Sequence, residues 1–78
     1  MSGRSPVPET KKILPTGLHS RTPEQDGSII VHEGRRYEVT RIFKHAAKGT
    51  VHLEVENQDR GGVFIGSLDD TERIEVEV

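Results

Sequence analysis

The sequence predicts an all-β fold: a small five-stranded barrel over residues 28–78, preceded by a disordered N-terminal tail over residues 1–27. Three observations predict it. From Ser28 onward apolar and polar residues alternate at period two, the spacing of strands with one buried face. Gly, Asn and Asp cluster between the apolar runs, as tight turns require. Hydrophobic residues are also unevenly spread, with five in residues 1–27 and nineteen in residues 28–78.

The first 27 residues hold all four prolines, Pro6, Pro8, Pro15 and Pro23. Proline holds itself and its predecessor in extended conformations, so no helix crosses Ile13-Leu14-Pro15. One apolar island, Lys11 to Leu18, interrupts this polar stretch. Its residues Ile13, Leu14 and Leu18 form a candidate docking segment that orders on a partner.

The strands follow in order. Ser28–His32 is the first, and Glu33-Gly34 turns the chain, Gly34 supplying the positive φ of a type II or I′ turn. Arg36–Phe43 is the second. Tyr37 and Val39 share one face, but Ile42 has the opposite parity. Either a bulge near Thr40-Arg41 resets the register, or Phe43 stays inside and Ile42 faces out. Lys44–Gly49 forms a hairpin loop. Thr50–Asn57 alternates cleanly, with Val51, Leu53 and Val55 inward and His52, Glu54 and Glu56 outward. Residues 57–62 are a turn by composition. Val63–Ile65 is a short strand, buried on both sides or near an edge and ended by Gly66, with Phe43 and Phe64 expected in the core. Ser67–Asp70 carries a shortened capping box, enough for one helical turn. Arg73–Val78 closes the domain, with Ile74, Val76 and Val78 inward.

This order of short strands, with one helical turn before the last, resembles an SH3-like or Tudor-like barrel. The resemblance covers residues 28–78 and concerns element order alone. An OB-fold needs longer strands and a helix that this chain lacks. A hairpin-plus-meander sheet that completes its core by dimerising is the remaining competitor.

Size and composition exclude most enzymes. A folded unit of about fifty residues buries roughly 60% of its unfolded surface and has little room for a cleft. With no cysteine there is no disulfide, thiol nucleophile or zinc ribbon, which favours a reducing, cytoplasmic setting. No run of seven apolar residues occurs, so neither a signal-peptide core nor a membrane helix is expected, and no membrane partner. The net charge of −2 gives no overall attraction to nucleic acid.

No constellation points to catalysis or to a cofactor. The histidines, His19, His32, His45 and His52, lack metal-ligand spacing. The pairs Glu54/Glu56 and Glu75/Glu77 alternate with core positions, as outer-face residues do. The richest cluster is basic: Arg35, Arg36, Arg41, Lys44, His45 and Lys48, with Tyr37 among them. Together with Ile13, Leu14 and Leu18 these are the expected partner-binding residues. The last ten residues are acidic by contrast, with Asp69, Asp70, Glu72, Glu75 and Glu77.

The expected function is therefore a non-enzymatic regulator or adaptor that docks on a larger protein or complex. A nucleic-acid-binding module using the basic residues on phosphates is the second reading. A structural assembly protein with a flexible N-terminal arm, forming homo-oligomers, is the third.

Overall fold

Alternating apolar positions become six strands: β1 (Thr10–Ile13), β2 (Ile29–His32), β3 (Arg35–His45), β4 (Thr50–Asn57), β5 (Val63–Asp69) and β6 (Ile74–Glu77). These come from a computed structural model that describes residues 9–78. All six lie in one antiparallel sheet, in the order β1-β6-β2-β3-β4-β5. Among the described residues the only helical elements are 3₁₀ turns at Pro15–Gly17 and Ala46–Lys48.

The sheet is not the expected five-stranded barrel, because it does not close. β6 lies beside β2, the two meeting at Ile30 and Val76. Its other edge is taken by β1, from Thr10 opposite Glu77 to Ile13 opposite Ile74. A ring would need that same edge for β5. The added strand thus leaves β5 and β1 as the two free edges.

Residues 9–27 are likewise not a disordered tail; the same expectation for residues 1–8 lies outside the described residues. Beyond β1, Pro15 is buried in its 3₁₀ turn and Leu18 joins the core. The segment then folds over β3 as a strap. Arg21 N–H donates to the Val39 carbonyl at 2.9 Å, and Ser28 N–H to the His19 carbonyl at 3.0 Å. Gly27 is buried against this point. A Cβ on it would stand 2.0 Å from the Val39 carbonyl oxygen, so only glycine fits.

The β2–β3 hairpin turns at Glu33 (φ 51°) and Gly34 (φ 77°), two positive φ values in succession as a type I′ turn has. In β3 the register slips between Val39 and Arg41. Thr40 is the extra residue of this bulge, and its hydroxyl donates to the Glu54 carbonyl at 3.1 Å. The bulge resolves the parity conflict: Ile42 packs on the core, and Phe43 faces out.

The core is Leu18, Val39, Val51, Leu53 and Val76, with Ile13, Ile30, Ile42, Val55, Leu68 and Ile74 packed around it. Neither phenylalanine belongs to it. Phe43 is 71% exposed and Phe64 53%. Val78 also faces solvent rather than inward, while its N–H donates to the Glu9 carbonyl at 2.9 Å.

β5 runs through Gly66 to Asp69, so Ser67–Asp70 forms no helical turn. A lone capping motif competes there with a ladder to β4 that runs from Glu56–Val63 to Thr50–Asp69, and the ladder satisfies more backbone groups. The hairpin between them is organised by the buried Asn57. Its Oδ1 accepts the N–H groups of Asp59 (2.8 Å) and Arg60 (3.0 Å).

Two substitutions test whether the strap is part of the folded unit. Leu18→Ala is expected to cost about 2–4 kcal/mol in urea unfolding, as for other buried leucines. Gly27→Ala is expected to cost about 2–3 kcal/mol, because its neighbour is backbone that cannot swing away. No change in either midpoint would return residues 9–27 to the status of a tail.

Candidate functional site

The two free edges differ in chemistry. β1 is four residues long and carries Lys11 and Lys12, side chains that discourage pairing with foreign strands. β5 is seven residues long, with no proline, no lysine and three consecutive exposed apolar residues. Val63 is 57% exposed and Ile65 80%, with Phe64 between them.

Hydrogen bonding at both ends of the β4–β5 hairpin fixes which way the β5 backbone points. Asn57 N–H donates to the Gly62 carbonyl (3.0 Å) and Asp70 N–H to the Gly49 carbonyl (2.8 Å). Antiparallel ladders alternate. Phe64, Gly66 and Leu68 therefore turn their N–H and C=O groups toward β4. Val63, Ile65, Ser67 and Asp69 turn theirs to the free edge.

Beside that edge, the outer face of the sheet holds an apolar and aromatic surface. The Phe43 and His45 rings stack with centroids 5.6 Å apart, and the His52 ring meets His45 edge-on at 4.8 Å. Phe43, His52 and Ile65 line a shallow hollow of about 410 Å³ together with Arg41, Glu54 and Ser20. Their common face follows from register: Phe43 is opposite His52, and Ile65 is opposite Glu54, which is opposite Arg41.

The other face of β5 borders the core. There Phe64 meets Tyr37 edge-on at 5.9 Å. Because the sheet is open, a second hollow runs between β5 and β6, with Ile30, Tyr37, Phe64, Leu68 and Ile74 in its wall and Lys12 and Arg73 at its rim.

The predicted binding residues do not gather into one surface. Arg36 is ion-paired through Nε and Nη2 with the Glu77 carboxylate, which raises its pKa further above the ordinary arginine range. Lys44 donates to the Thr16 carbonyl at 3.0 Å and so ties β3 to the strap. Arg35 and Lys48 are exposed, one at the start of β3 and the other in the 3₁₀ turn after it. Tyr37 is half-buried on the core side. Arg41 and His45 remain with the exposed aromatic face. Ile13 and Leu18 pack in the core, so of the three apolar docking residues only Leu14 is exposed.

One polar cluster had no sequence signature. Glu38 is 5% exposed, directly opposite Glu56 in the β3–β4 ladder. Two carboxylates so placed repel unless a cation joins them. Arg21 from the strap supplies it, donating to Glu38 from Nε (3.1 Å) and Nη2 (2.5 Å) and to Glu56 from Nη2 (2.6 Å). Gly27 N–H adds a bond to Glu38 at 2.9 Å. Arg21 first, and then Gly27, hold the Glu38 carboxyl down at about 2. A carboxylate held ionised in this way is a structural anchor, not a proton donor. The signal was the register itself, which sequence alone does not supply.

Among the described residues no group of three or more His, Cys, Asp or Glu side chains is placed to hold a metal ion. None of their helices is long and apolar enough to cross a membrane. In comparisons with known proteins, no family, no curated protein and no solved structure matches the chain.

The anchor makes stability depend on acid. The folded state holds the Glu38 proton less readily than the unfolded chain does, so protonation favours unfolding. Its contribution is complete above the ordinary value of 4.5 and is lost as pH falls toward about 2. Urea unfolding across that window should show Glu38→Gln with a shallower acid loss than the parent. It should also be less stable by about 1.5–3 kcal/mol at neutral pH, the usual range for a hydrogen bond to a charged group. Parallel pH profiles would refute the anchor.

Proposed function

We propose that this chain is a non-enzymatic protein-binding module, a small regulator or adaptor that docks on a larger protein through the free edge of β5 and the outer face beside it. The observation that carries this reading is the exposure of Val63, Phe64 and Ile65 on a strand whose outward backbone groups have no β-partner. Proteins usually blunt such an edge with lysine or proline, as Lys11 and Lys12 do on β1. An edge left open and apolar suits strand addition, in which the main chain supplies affinity and flanking side chains supply selectivity. Phe43, Ile65 and Arg41 provide those flanks, and aromatic and arginine side chains commonly anchor protein interfaces. In strand order, β2–β6 support an SH3-like or Tudor-like arrangement with the last strand beside the first, held open by β1.

A second reading is favoured by one observation. Phe43, stacked with His45 beside Arg41, offers an exposed aromatic platform on an open sheet, the kind of surface on which single-stranded bases stack. Glu54 on the same face and the net charge of −2 weigh against it.

Affinity capture from the native host, with the parent chain and with Ile65→Lys, tests the first reading. A protein retained by the parent and lost with Ile65→Lys is the expected result; equal capture by both would refute docking at β5. The second reading predicts binding of single-stranded oligonucleotides that Phe43→Ala weakens and that falls with salt, by a slope of about 0.7 per phosphate contacted. Absence of binding at low salt would remove it.

A further inference from the structure

We infer that the strand added to β5 is the β5 of a second copy of this chain, paired antiparallel about a two-fold axis at Gly66. The inference rests on β5 being the docking edge, and it names the occupant.

The strand is self-complementary about its middle residue. With Gly66 opposite Gly66, Val63 lies opposite Asp69 of the second copy, Phe64 opposite Leu68, and Ile65 opposite Ser67, so all seven residues are used. The parity is correct. Val63, Ile65, Ser67 and Asp69 point their backbone groups outward, and this register joins them only to one another. Gly66 then forms the non-hydrogen-bonded pair on the axis, where backbones come closest.

Side chains on the core side fit the same register. A Cβ on Gly66 would meet nothing within 4 Å, so there is open space above it. Phe64 is half exposed at its edge. Across the axis each Phe64 lies opposite Leu68 and diagonal to Gly66 of the other copy, where its ring covers the glycine backbone. Both hollows that flank β5 would be extended by the second copy rather than capped.

Charges beyond the strand ends agree as well. Counted outward from the same axis, Arg60 in the turn before β5 comes to the side of Glu72 of the second copy in the turn after it, and Asp59 to the side of Arg73. All four are exposed, and none forms an ion pair with another described residue. Moving the axis to Ile65 instead would set Arg60 against Asp70 but Asp59 against Thr71, and would leave Leu68 and Asp69 opposite Gly62 and Gly61, outside the strand. The Gly66 axis uses all seven strand residues and brings together two opposite-charge pairs against one, and so is the favoured register. Two copies joined in this way have a continuous twelve-stranded sheet, each contributing its six strands. Its contact is small, below about 1,200 Å², which suits a weak and reversible dimer.

Sedimentation equilibrium of the full chain, from micromolar to millimolar concentration, should show the mass rising from 8.7 kDa toward twice that value. Ile65→Lys should weaken the association at least about tenfold. Arg60→Glu should weaken it too, and Arg60→Glu combined with Glu72→Arg should restore it. The chain has no cysteine, so Gly66→Cys is a clean reporter of the axis. On oxidation it should form a covalent dimer about tenfold faster than Val63→Cys, since only residues on the axis come within disulfide reach. Circular dichroism of each variant must match the parent. Faster cross-linking by Ile65→Cys than by Gly66→Cys would overturn the register. A strict monomer at every concentration would overturn the dimer. If that monomer still loses a captured protein on Ile65→Lys, a foreign strand is the occupant and the β5 docking reading stands. If capture is also unaffected, both fall.

Discussion

The pairing of β1 with β6 decides the architecture. A strand of four residues adds little area, but it takes the one edge through which the other five strands would form a ring. Once that edge is filled, β5 has no neighbour on its outer side, and the core stays accessible between β5 and β6. Openness here follows from one extra strand, not from a deficient core. Val39 and Val51 are as fully enclosed as residues at the centre of a much larger domain.

The strap carries the rest of the organisation. It delivers Leu18 to the apolar side of the sheet and Arg21 to the polar side, so one loop serves both faces. Arg21 resolves the only directly opposed carboxylate pair in the β3–β4 ladder, and Gly27 lets the strap come close enough to do so. The bulge at Thr40 lies one residue beyond this contact. Strap, carboxylate and bulge form one local unit, and its result is the outward turn of Phe43.

Much of the fold was legible in the sequence. Period two marked β2, β3, β4 and β6 to within a few residues, and the parity conflict at Ile42 offered the bulge as one of two solutions without deciding between them. What was not legible depended on partners distant in sequence. Leu18 and Ile13 look like a docking motif until β6 and the core are in place beside them. Arg21 looks like an isolated charge until Glu38 and Glu56 are brought opposite each other. Phe64 reads as core because apolar runs usually are buried, and for Val63–Ile65 composition cannot decide between a strand buried on both sides and an edge that lacks a neighbour. The basic cluster was contiguous in sequence but not in space, since alternation along β3 divides it between two faces and Glu77 engages one of its members. On the candidate surface, Arg41 and His45 were anticipated, and Phe43 and Ile65 were not.

The β1–β6 pair has a consequence for biosynthesis. β1 emerges from the ribosome before its partner has been translated, and every other strand can find a neighbour sooner. Until β6 follows, Ile13 and Leu18 stay without their final packing, next to Lys11 and Lys12, whose charge keeps the waiting segment hydrated. Of the six described strands, the earliest in the chain is thus the last to be enclosed, and a nascent chain that stops short of Ile74 leaves it without its β6 partner.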